Sequence, residues 1–268
     1  MSIIYEPSGK AREYSPLAAN LYSGCGHKCK YCYVPGVLRS NRKDFDEIIL
    51  ERKLVIKELE KDCKKFKHSD KQVLMSFTTD PYNQLNDEAG LTRKSLLLFL
   101  EYQIPIAILT KSGMRATQDI DVVKKFGRHI KIGASLTYDN DIDSQRVESG
   151  AALPSERLLM LKTLHDSGIR TWASFEPIID LQQTYNVMVK AIPFTDEFQL
   201  GKLANDNRAL DWNEFLRKTI SLLRNNKKDF YVKESLRKAA NKINLTKEES
   251  DMDYLTLRPF ELIKESLF

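Results

Sequence analysis

Three of the four cysteines of the chain fall within eight residues, at Cys25, Cys29 and Cys32. So dense a group of thiols indicates metal ligands, because the thiolate is a strong ligand for soft metals and metal clusters. Three thiolates on one loop can hold three corners of a metal cluster and leave the fourth corner open. Since an open corner can bind a further ligand, the spacing predicts a reactive metal centre.

The residues alone allow three interpretations of this motif. A zinc site would use His27 beside the three cysteines, but zinc fingers generally take their ligands as two pairs from separate turns, and here all four would crowd one loop. A redox dithiol formed by Cys29 and Cys32 leaves Cys25 unexplained. A [4Fe-4S] cluster bound by three thiolates accounts for all three. The fourth cysteine, Cys63, has charged neighbours and is predicted to be an ordinary helix residue.

The composition is that of a globular enzyme-sized chain. Of its 268 residues, 42% are apolar and 29% are charged, which excludes a disordered or membrane-spanning protein. No apolar run approaches the ~20 residues needed to cross a bilayer, and no secretory signal precedes the first elements. We therefore expect a cytoplasmic protein without disulfides. A net charge of +5 is only a weak argument for a polyanionic partner, and basic segments such as 233–242 are interpreted as solvated helix faces.

Short apolar runs alternate with longer segments of helical period, which is typical of βα units around a parallel sheet. The predicted strands are Leu17–Tyr22, Val73–Thr78, Ile104–Thr110, Ile130–Thr137, Arg170–Pro177 and Glu197–Leu200, with a seventh at Phe230–Lys233. The predicted helices are Asp44–Phe66, Thr92–Tyr102, Gln118–Phe126, Ser155–Ser167, Leu181–Ile192 and Asp211–Asn225. The fold class is therefore α/β.

The helix with the clearest boundaries is the fourth, for which Ser155 is the predicted N-cap and Gly168 lies just past the end. No linker or repeat interrupts the chain, so we expect a single domain with a core at about residues 15–205 and an α-rich C-terminal extension at about 206–268. Within the extension, Asn244–Asp253 is predicted to be a surface loop and Pro259–Leu267 a short amphipathic helix.

Polar residues end five consecutive predicted strands. Because ligands of parallel barrels bind at the carboxyl ends of the strands, these groups are expected to meet at one rim. The cysteine cluster follows the first strand, and the next four strands end in the runs Thr78–Tyr82, Thr110–Ser112, Ser135–Thr137 and Glu176–Pro177.

The cysteine motif, with an aromatic residue before its last cysteine, resembles the hallmark of the radical S-adenosylmethionine (SAM) superfamily. Further runs are similar to its spore photoproduct lyase-like branch, over roughly residues 9–205. These runs are 9–14, 20–25, Thr79–Tyr82, Leu91–Arg93, Thr110–Ser112 and Ser135–Thr137, followed by Arg146, Glu148, Pro154, Arg157 and Gly168. The resemblance implies a partial parallel (β/α)6 TIM-like barrel as the core.

The resemblance also implies a mechanism. A [4Fe-4S] cluster on Cys25, Cys29 and Cys32 would chelate SAM at its open iron and cleave it reductively to methionine and a 5'-deoxyadenosyl radical. That radical would abstract hydrogen from a substrate held inside the barrel, where position supplies the specificity. A flavodoxin or ferredoxin is the implied electron donor.

By the same resemblance, five residues are expected to contact SAM. Tyr31 would line the adenine pocket, Lys111 would bind the methionyl carboxylate or the ribose, and the hydroxyls of Thr79 and Ser135 would form hydrogen bonds. Glu176 would accept from the SAM amino group or from a polar group of the substrate. Four of these side chains also have a purely structural alternative: Thr79 and Ser135 as strand caps, Lys111 as a surface lysine and Glu176 as an ion-pair partner.

One position departs from the lyase pattern. Phe77 stands where the lyase has a cysteine that returns a hydrogen atom to the product radical, so the substrate is expected to differ. Two alternatives stay open: repair of a DNA lesion with another hydrogen donor, which would make nucleic acid the substrate, and a non-catalytic zinc-binding nucleic-acid module.

Overall fold

The computed structural model describes residues 2–204 and 206–261, and within them one eight-stranded sheet organises the chain. The strands are β1 (Ile4–Tyr5), β2 (Leu17–Ala19), β3 (Tyr22–Ser23), β4 (Leu50–Glu51), β5 (Val73–Met75), β6 (Ile106–Thr110), β7 (Ile130–Ser135), β8 (Arg170–Ile178), β9 (Glu197–Lys202) and β10 (Asp229–Val232). The sheet has the order β1-β2-β5-β6-β7-β8-β9-β10, and β3 pairs with β4 separately. Within the eight-stranded sheet, all neighbouring strands from β2 to β10 are parallel and β1 is antiparallel to β2, while β3 and β4 form a separate antiparallel pair.

Helices connect the parallel strands. They are α1 (Val34–Leu38), α2 (Arg42–Glu47), α3 (Val55–Lys65), α4 (Asn86–Ala89), α5 (Leu91–Glu101), α6 (Ile120–Val123), α7 (Asp141–Val147), α8 (Pro154–Asp166), α9 (Leu181–Ala191), α10 (Trp212–Asn225), α11 (Glu234–Ala239) and α12 (Lys247–Ser250). Short 3-10 turns lie at Gly9–Glu13, Gly113–Thr117, Lys124–His129, Ile192–Phe194 and Met252–Leu255. No helix of residues 2–204 and 206–261 is both long and apolar enough to span a bilayer.

The two faces of the sheet differ in chemistry because side chains alternate along each strand. One face carries apolar residues of every parallel strand, such as Met75, Ile108 and Phe175, and packs into the main core with the helices. The opposite face, called the polar face below, carries Lys131, Gly133 and Ser135 on β7 and, across the ladder, Trp172, Ser174 and Glu176 on β8 and Glu197 and Gln199 on β9. A small apolar group that includes Ala18, Leu74, Ala107 and Trp172 fills part of it.

The α/β class and the six predicted strands are confirmed, and so is the seventh, which extends the sheet as β10. Strand β10 and its position beside β9 show that the region after residue 206 contributes to the sheet as well as supplying helices α10, α11 and α12. The proposed division into core and extension stays a prediction.

The predicted helix Asp44–Phe66 is wrong. Helix α2 ends at Glu47, and the chain then forms β4, which pairs with β3 so that Leu50 lies opposite Ser23. Helix α3 begins only at Val55, after Leu54 has adopted a left-handed conformation with φ 55°. Helical spacing of apolar residues does not reveal this interruption, because the pairing partner of β4 lies 27 residues earlier in the chain.

Other boundaries also differ. The predicted helix Gln118–Phe126 reduces to α6 and a 3-10 turn, within which Gly127 has a positive φ. Helix α8 starts at Pro154, so Ser155 is not its N-cap; the Ser155 hydroxyl donates to Asp141 instead. Gly168 does lie just past the helix in a left-handed conformation, as predicted.

The C-terminal predictions were only partly right. The segment Asn244–Asp253 is not simply a surface loop, because it contains α12 and the buried side chain of Met252. The sulfur of Met252 accepts from the Gln199 amide at 3.7 Å, and the main-chain carbonyl of Leu255, two residues after the segment, accepts from Lys131 at 2.6 Å. The end of this segment therefore lies against the polar face. Most of the predicted helix Pro259–Leu267 lies outside the described residues.

Candidate active site

The cysteine loop, residues 24–33, joins β3 to α1 and is fixed by its neighbours. The amide of Cys25 donates to the Phe45 carbonyl at 2.8 Å, and the amide of Lys30 donates to the Val147 carbonyl at 2.9 Å. Cys29 forms a β-bridge with Glu148. These bonds use the backbone of the loop and leave all three thiols without a disulfide.

Two of the thiols, those of Cys25 and Cys29, lie in a largely dry environment. Burial raises the pKa of Cys29 to about 11, although the ammonium of Lys111 opposes the shift, and burial also raises the pKa of Cys25 well above its usual range. A thiol in such a place becomes a thiolate when a metal cation stabilises the negative charge. The environment therefore suits metal ligands better than a freely reactive redox dithiol.

His27 is held by protein groups. Its Nε2 lies 2.8 Å from Oδ2 of Asp80, and its Nδ1 lies 3.3 Å from the Gly150 carbonyl. Asp80 also accepts from the Thr110 hydroxyl and the Lys111 amide, each at 2.8 Å. Burial alone would raise the pKa of Asp80, but His27 and these donors outweigh it and lower the pKa below its usual range. His27 thus fastens the cysteine loop to the ends of β5 and β6.

This arrangement does not support a zinc site, because both ring nitrogens of His27 contact protein oxygens and neither is directed at the three thiols. Within residues 2–204 and 206–261, no three His, Cys, Asp or Glu side chains converge on one point suited to a single metal ion. A [4Fe-4S] cluster makes no such demand, because each cysteine binds a different iron.

Two side chains outside the cysteine loop donate hydrogen bonds to its backbone carbonyls. The Thr79 hydroxyl donates to the Gly24 carbonyl at 2.7 Å, and the guanidinium of Arg42 donates to the Cys29 carbonyl at 2.7 Å. A Cβ atom on Gly150 would lie 1.9 Å from the Gly26 carbonyl oxygen, so only glycine permits the close approach of these two backbones.

A buried ionic network lies on the other side of the loop. Glu148 accepts from Nη2 of Arg157 at 2.6 Å and from the hydroxyl of Tyr31, and Arg157 also donates to the Ser135 carbonyl at 2.9 Å. The carboxylate and the guanidinium are both fully buried. Burial would raise the pKa of Glu148, but Arg157, Lys111 and the Tyr31 hydroxyl outweigh it and lower the pKa to about 2. The ion pair orients Tyr31, the residue directly before Cys32.

A second carboxylate, Glu176, stands on the polar face. Its Oε2 accepts from the Tyr14 hydroxyl and from the ammonium of Lys233, which follows β10 and is 1% exposed. Burial lowers the pKa of Lys233, and Glu176 opposes that shift. A Cβ on Gly201 would come within 2.9 Å of both side chains, so the glycine leaves room for the pair. Among the described residues, no donor lies within hydrogen-bond distance of Oε1 of Glu176, which lies on the side of Gly201.

Four of the five predicted SAM contacts lie around the cysteine loop. The Lys111 ammonium lies 5.7 Å from the centre of the Tyr31 ring, Thr79 holds Gly24, and Ser135 lies at the end of β7 beside Arg157. Glu176 contacts none of these four within the described chain. The polar strand ends therefore form two separate groups, one around the cysteine loop and one around Glu176.

Sequence reasoning missed several groups that build the site. Asp80, Glu148 and Arg157 lie in the motifs that carry the family resemblance, but the sequence predicts no role for them. Lys233 lies in a basic segment that the sequence predicts to be a solvated helix face. That interpretation is wrong for Lys233, which is buried against Glu176 and Tyr14. Its position at the end of the seventh strand was the signal that could have identified it.

Comparison with known proteins identifies the family. Residues 19–186 match the Radical SAM superfamily, and the chain belongs to that superfamily. An uncharacterised protein of Methanocaldococcus jannaschii is 31% identical over 178 residues, which is 66% of this chain and 66% of that relative. The match confirms the membership of the superfamily that the cysteine motif indicates.

Two solved structures are similar in fold. Spore photoproduct lyase in complex with dinucleoside spore photoproduct aligns with a TM-score of 0.62 and 14% identity, covering 85% of this chain and 78% of the lyase. Streptococcus suis SuiB bound to SAM aligns with a TM-score of 0.62 and 13% identity, covering 85% of this chain and 53% of SuiB. The mostly parallel sheet is thus the partial barrel expected from the sequence.

Membership of the superfamily implies a [4Fe-4S] cluster and SAM as cofactors. The donor set fits this cluster: three thiols without disulfide partners, on a loop whose backbone is already fixed by neighbouring segments. Cys63 does not belong to the set, because it is buried in the main core on α3, as predicted.

Proposed function

We propose that this chain is a radical SAM enzyme in which Cys25, Cys29 and Cys32 bind the cluster and the polar face binds SAM and the substrate. The observation that carries the proposal is the rigidly held loop with three free thiols at the carboxyl ends of the parallel strands. When bound, the cluster and SAM supply a 5'-deoxyadenosyl radical that abstracts hydrogen from the substrate.

The residues around the loop have distinct parts in this proposal. Lys111 is half-buried beside Cys29 and Tyr31, and among the described residues no carboxylate pairs with it, so it is suited to the carboxylate of SAM. Tyr31, whose hydroxyl is fixed by Glu148, offers its ring as a wall for the adenine. The hydroxyl of Ser135 at the end of β7 is a further contact. Thr79 donates to Gly24 and so can only accept from SAM.

Glu176 serves the ligand on the other side of the polar face. Tyr14 and Lys233 hold one carboxylate oxygen, which leaves the other to accept from the ammonium group of SAM or from a polar group of the substrate. The ring of Phe77 packs edge-on against Tyr14 with 5.6 Å between centroids, so an aromatic wall stands where the lyase has its cysteine. Lyase-like repair of a DNA lesion stays a prediction, and the substrate is open.

The proposal predicts uncoupled SAM cleavage. Anaerobically reconstituted protein, incubated with SAM and dithionite, is expected to release 5'-deoxyadenosine and methionine without any added substrate. Chromatography of the quenched reaction measures both products. Protein that holds zinc but neither iron nor sulfide, or that contains the cluster yet produces no 5'-deoxyadenosine, would contradict the proposal.

Lys111 gives a test of the SAM contacts. In Lys111→Met the side-chain length is kept and the charge is lost, so the Kd for SAM is expected to rise about 10- to 100-fold, the effect of removing one charge-assisted hydrogen bond. Anaerobic equilibrium dialysis with the cluster-containing protein measures the Kd, and iron content is expected to be unchanged.

The matched control is Lys162→Met, which removes an exposed lysine on α8. It should bind SAM like the native protein. Equal affinity in Lys111→Met would contradict the role of Lys111. The same titration of Glu176→Gln determines which ligand this carboxylate binds. Weaker SAM binding would mean that Glu176 accepts from the SAM ammonium group, and unchanged SAM binding would mean that it contacts the substrate.

A further inference from the structure

Exposed apolar side chains are concentrated beside the cysteine loop. Twelve large apolar side chains of the described residues are exposed, and six of them lie within residues 33–54, each between 50% and 67% exposed. The six, called the apolar flank below, are Tyr33, Val37, Leu38, Ile48, Leu50 and Leu54. Single exposed apolar residues are ordinary, but such a concentration marks an interaction surface.

Both halves of the apolar flank adjoin the loop. Tyr33, Val37 and Leu38 lie on or just before α1, which begins two residues after Cys32. Leu50 on β4 pairs with Ser23 on β3, and Ser23 lies two residues before Cys25 in the chain. The flank therefore covers the segments that enter and leave the cluster-binding loop.

Helix α2 connects these segments directly to the cysteines. The Phe45 carbonyl accepts from the Cys25 amide, and Arg42 donates to the carbonyls of Cys29 and Cys32. A partner docked on α1 and α2 would thus touch the elements that hold the cluster ligands.

The charge of this region is strongly positive. Residues 28–57 contain eight basic and four acidic residues, a net charge of +4, whereas the whole chain carries +5. Lys28, Lys30, Arg39 and Lys43 are exposed, and none of them is ion-paired within residues 2–204 and 206–261. Unpaired cations around an apolar surface favour an acidic partner and speed its association.

We infer that the apolar flank and its surrounding cations are the docking surface for an acidic one-electron carrier protein that reduces the cluster. This inference rests on the proposed function. A second copy of the chain is a poor partner, because two surfaces that each carry a charge of +4 repel one another. A nucleic acid is a poor partner as well, because five aliphatic side chains occupy positions where phosphate contacts would be needed. An apolar centre with a charged rim is the composition of a transient protein interface.

The test compares two electron sources. Anaerobic, cluster-containing protein is mixed with flavodoxin hydroquinone or with dithionite, and bleaching of the cluster absorbance gives each reduction rate. The variants are Val37→Ser/Lys43→Glu on one side of the loop and Leu50→Ser/Lys53→Glu on the other. The control is Leu159→Ser/Lys162→Glu, the same changes on α8, far from the loop in sequence.

Both flank variants are expected to react at least tenfold more slowly with flavodoxin at low salt, and as fast as the native protein with dithionite. The control should match the native protein in both reactions, and added salt should slow the reaction of both proteins with flavodoxin. Unchanged flavodoxin rates in both flank variants would overturn the docking surface alone. A native dimer that the flank variants dissociate would also overturn it, in favour of a second copy. If dithionite reduces no cluster in the native protein, the proposed function fails and the docking surface fails with it.

Discussion

Cys29→Ala is expected to abolish bound iron and SAM cleavage. Three thiolates are the fewest that hold the cluster and leave one iron for SAM, so the loss of one ligand removes both the cluster and its open corner. Cys29 is the middle one of the three proposed ligands and the most buried, and its carbonyl accepts from Arg42. After anaerobic reconstitution, iron and sulfide analysis should fall to background, and 5'-deoxyadenosine should fall at least 100-fold.

The chain supplies a matched control in its fourth cysteine. Cys63→Ala removes a thiol that is fully buried in the main core on α3, away from the loop. This variant is expected to keep full iron content and SAM cleavage, with a stability loss of about 1 kcal/mol for the small cavity. Full iron in Cys29→Ala, or lost iron in Cys63→Ala, would show that the ligands are assigned wrongly.

Glu148→Gln is expected to lower the free energy of unfolding of the cluster-free chain by about 3–5 kcal/mol at pH 7. The amide leaves the guanidinium of Arg157 buried without a counter-charge, and breaking a buried ion pair from one side is strongly destabilising. Urea unfolding followed by circular dichroism measures the loss. Because glutamine has one acceptor oxygen where Glu148 has two, Tyr31 and Arg157 compete for it, and SAM affinity should fall as Tyr31 is held less firmly.

The same carboxylate predicts a pH dependence. The pKa of Glu148 in the folded chain is about 2, below its ordinary value of 4.5, so the folded state favours the ionised form. Its contribution is therefore complete above about pH 5 and is lost as the pH falls from 4.5 towards 2, by about 3 kcal/mol in all. The native chain should lose stability over this range more steeply than Glu148→Gln.

Two further variants check the interpretation. Glu60→Gln makes the same change in the exposed ion pair with Lys64 and should alter neither stability nor its pH dependence. The double variant Glu148→Gln/Arg157→Met removes both charges, so it should be less destabilised than the sum of its single variants. Additive losses would mean that the two side chains do not act as a pair.

Much of the fold was predictable because its signals are local. Each parallel strand is a short buried run, and each of the longer helices α5, α8, α9 and α10 shows its own apolar spacing, so period and length identify them. The error at residues 44–66 arose where a distant partner overrides the local pattern. Leu50 and Glu51 form a strand only because Ser23 and Tyr22 are available to pair with them.

The site was predictable to a different degree. The proposed ligands Cys25, Cys29 and Cys32 share one loop, so their spacing alone indicates a metal centre. The ion pair of Glu148 with Arg157 joins residues nine apart, and that of His27 with Asp80 joins residues 53 apart. No spacing rule covers such pairs, since their charges are compatible with many other partners and with solvent.

The sequence by itself determined the class of chemistry, because the three thiols lie within eight residues of one another and can be recognised from that spacing alone. The polar ends of successive strands can be recognised in the same way. Only the tertiary structure decided how the loop is held and that Lys233 reaches Glu176. It also decided that, in the described part of the chain, half of the exposed large apolar side chains lie beside the proposed cluster ligands. These features depend on which distant segments share a face of the sheet or an edge of the loop. That is fixed by strand register and helix packing, which the local pattern of residues does not contain.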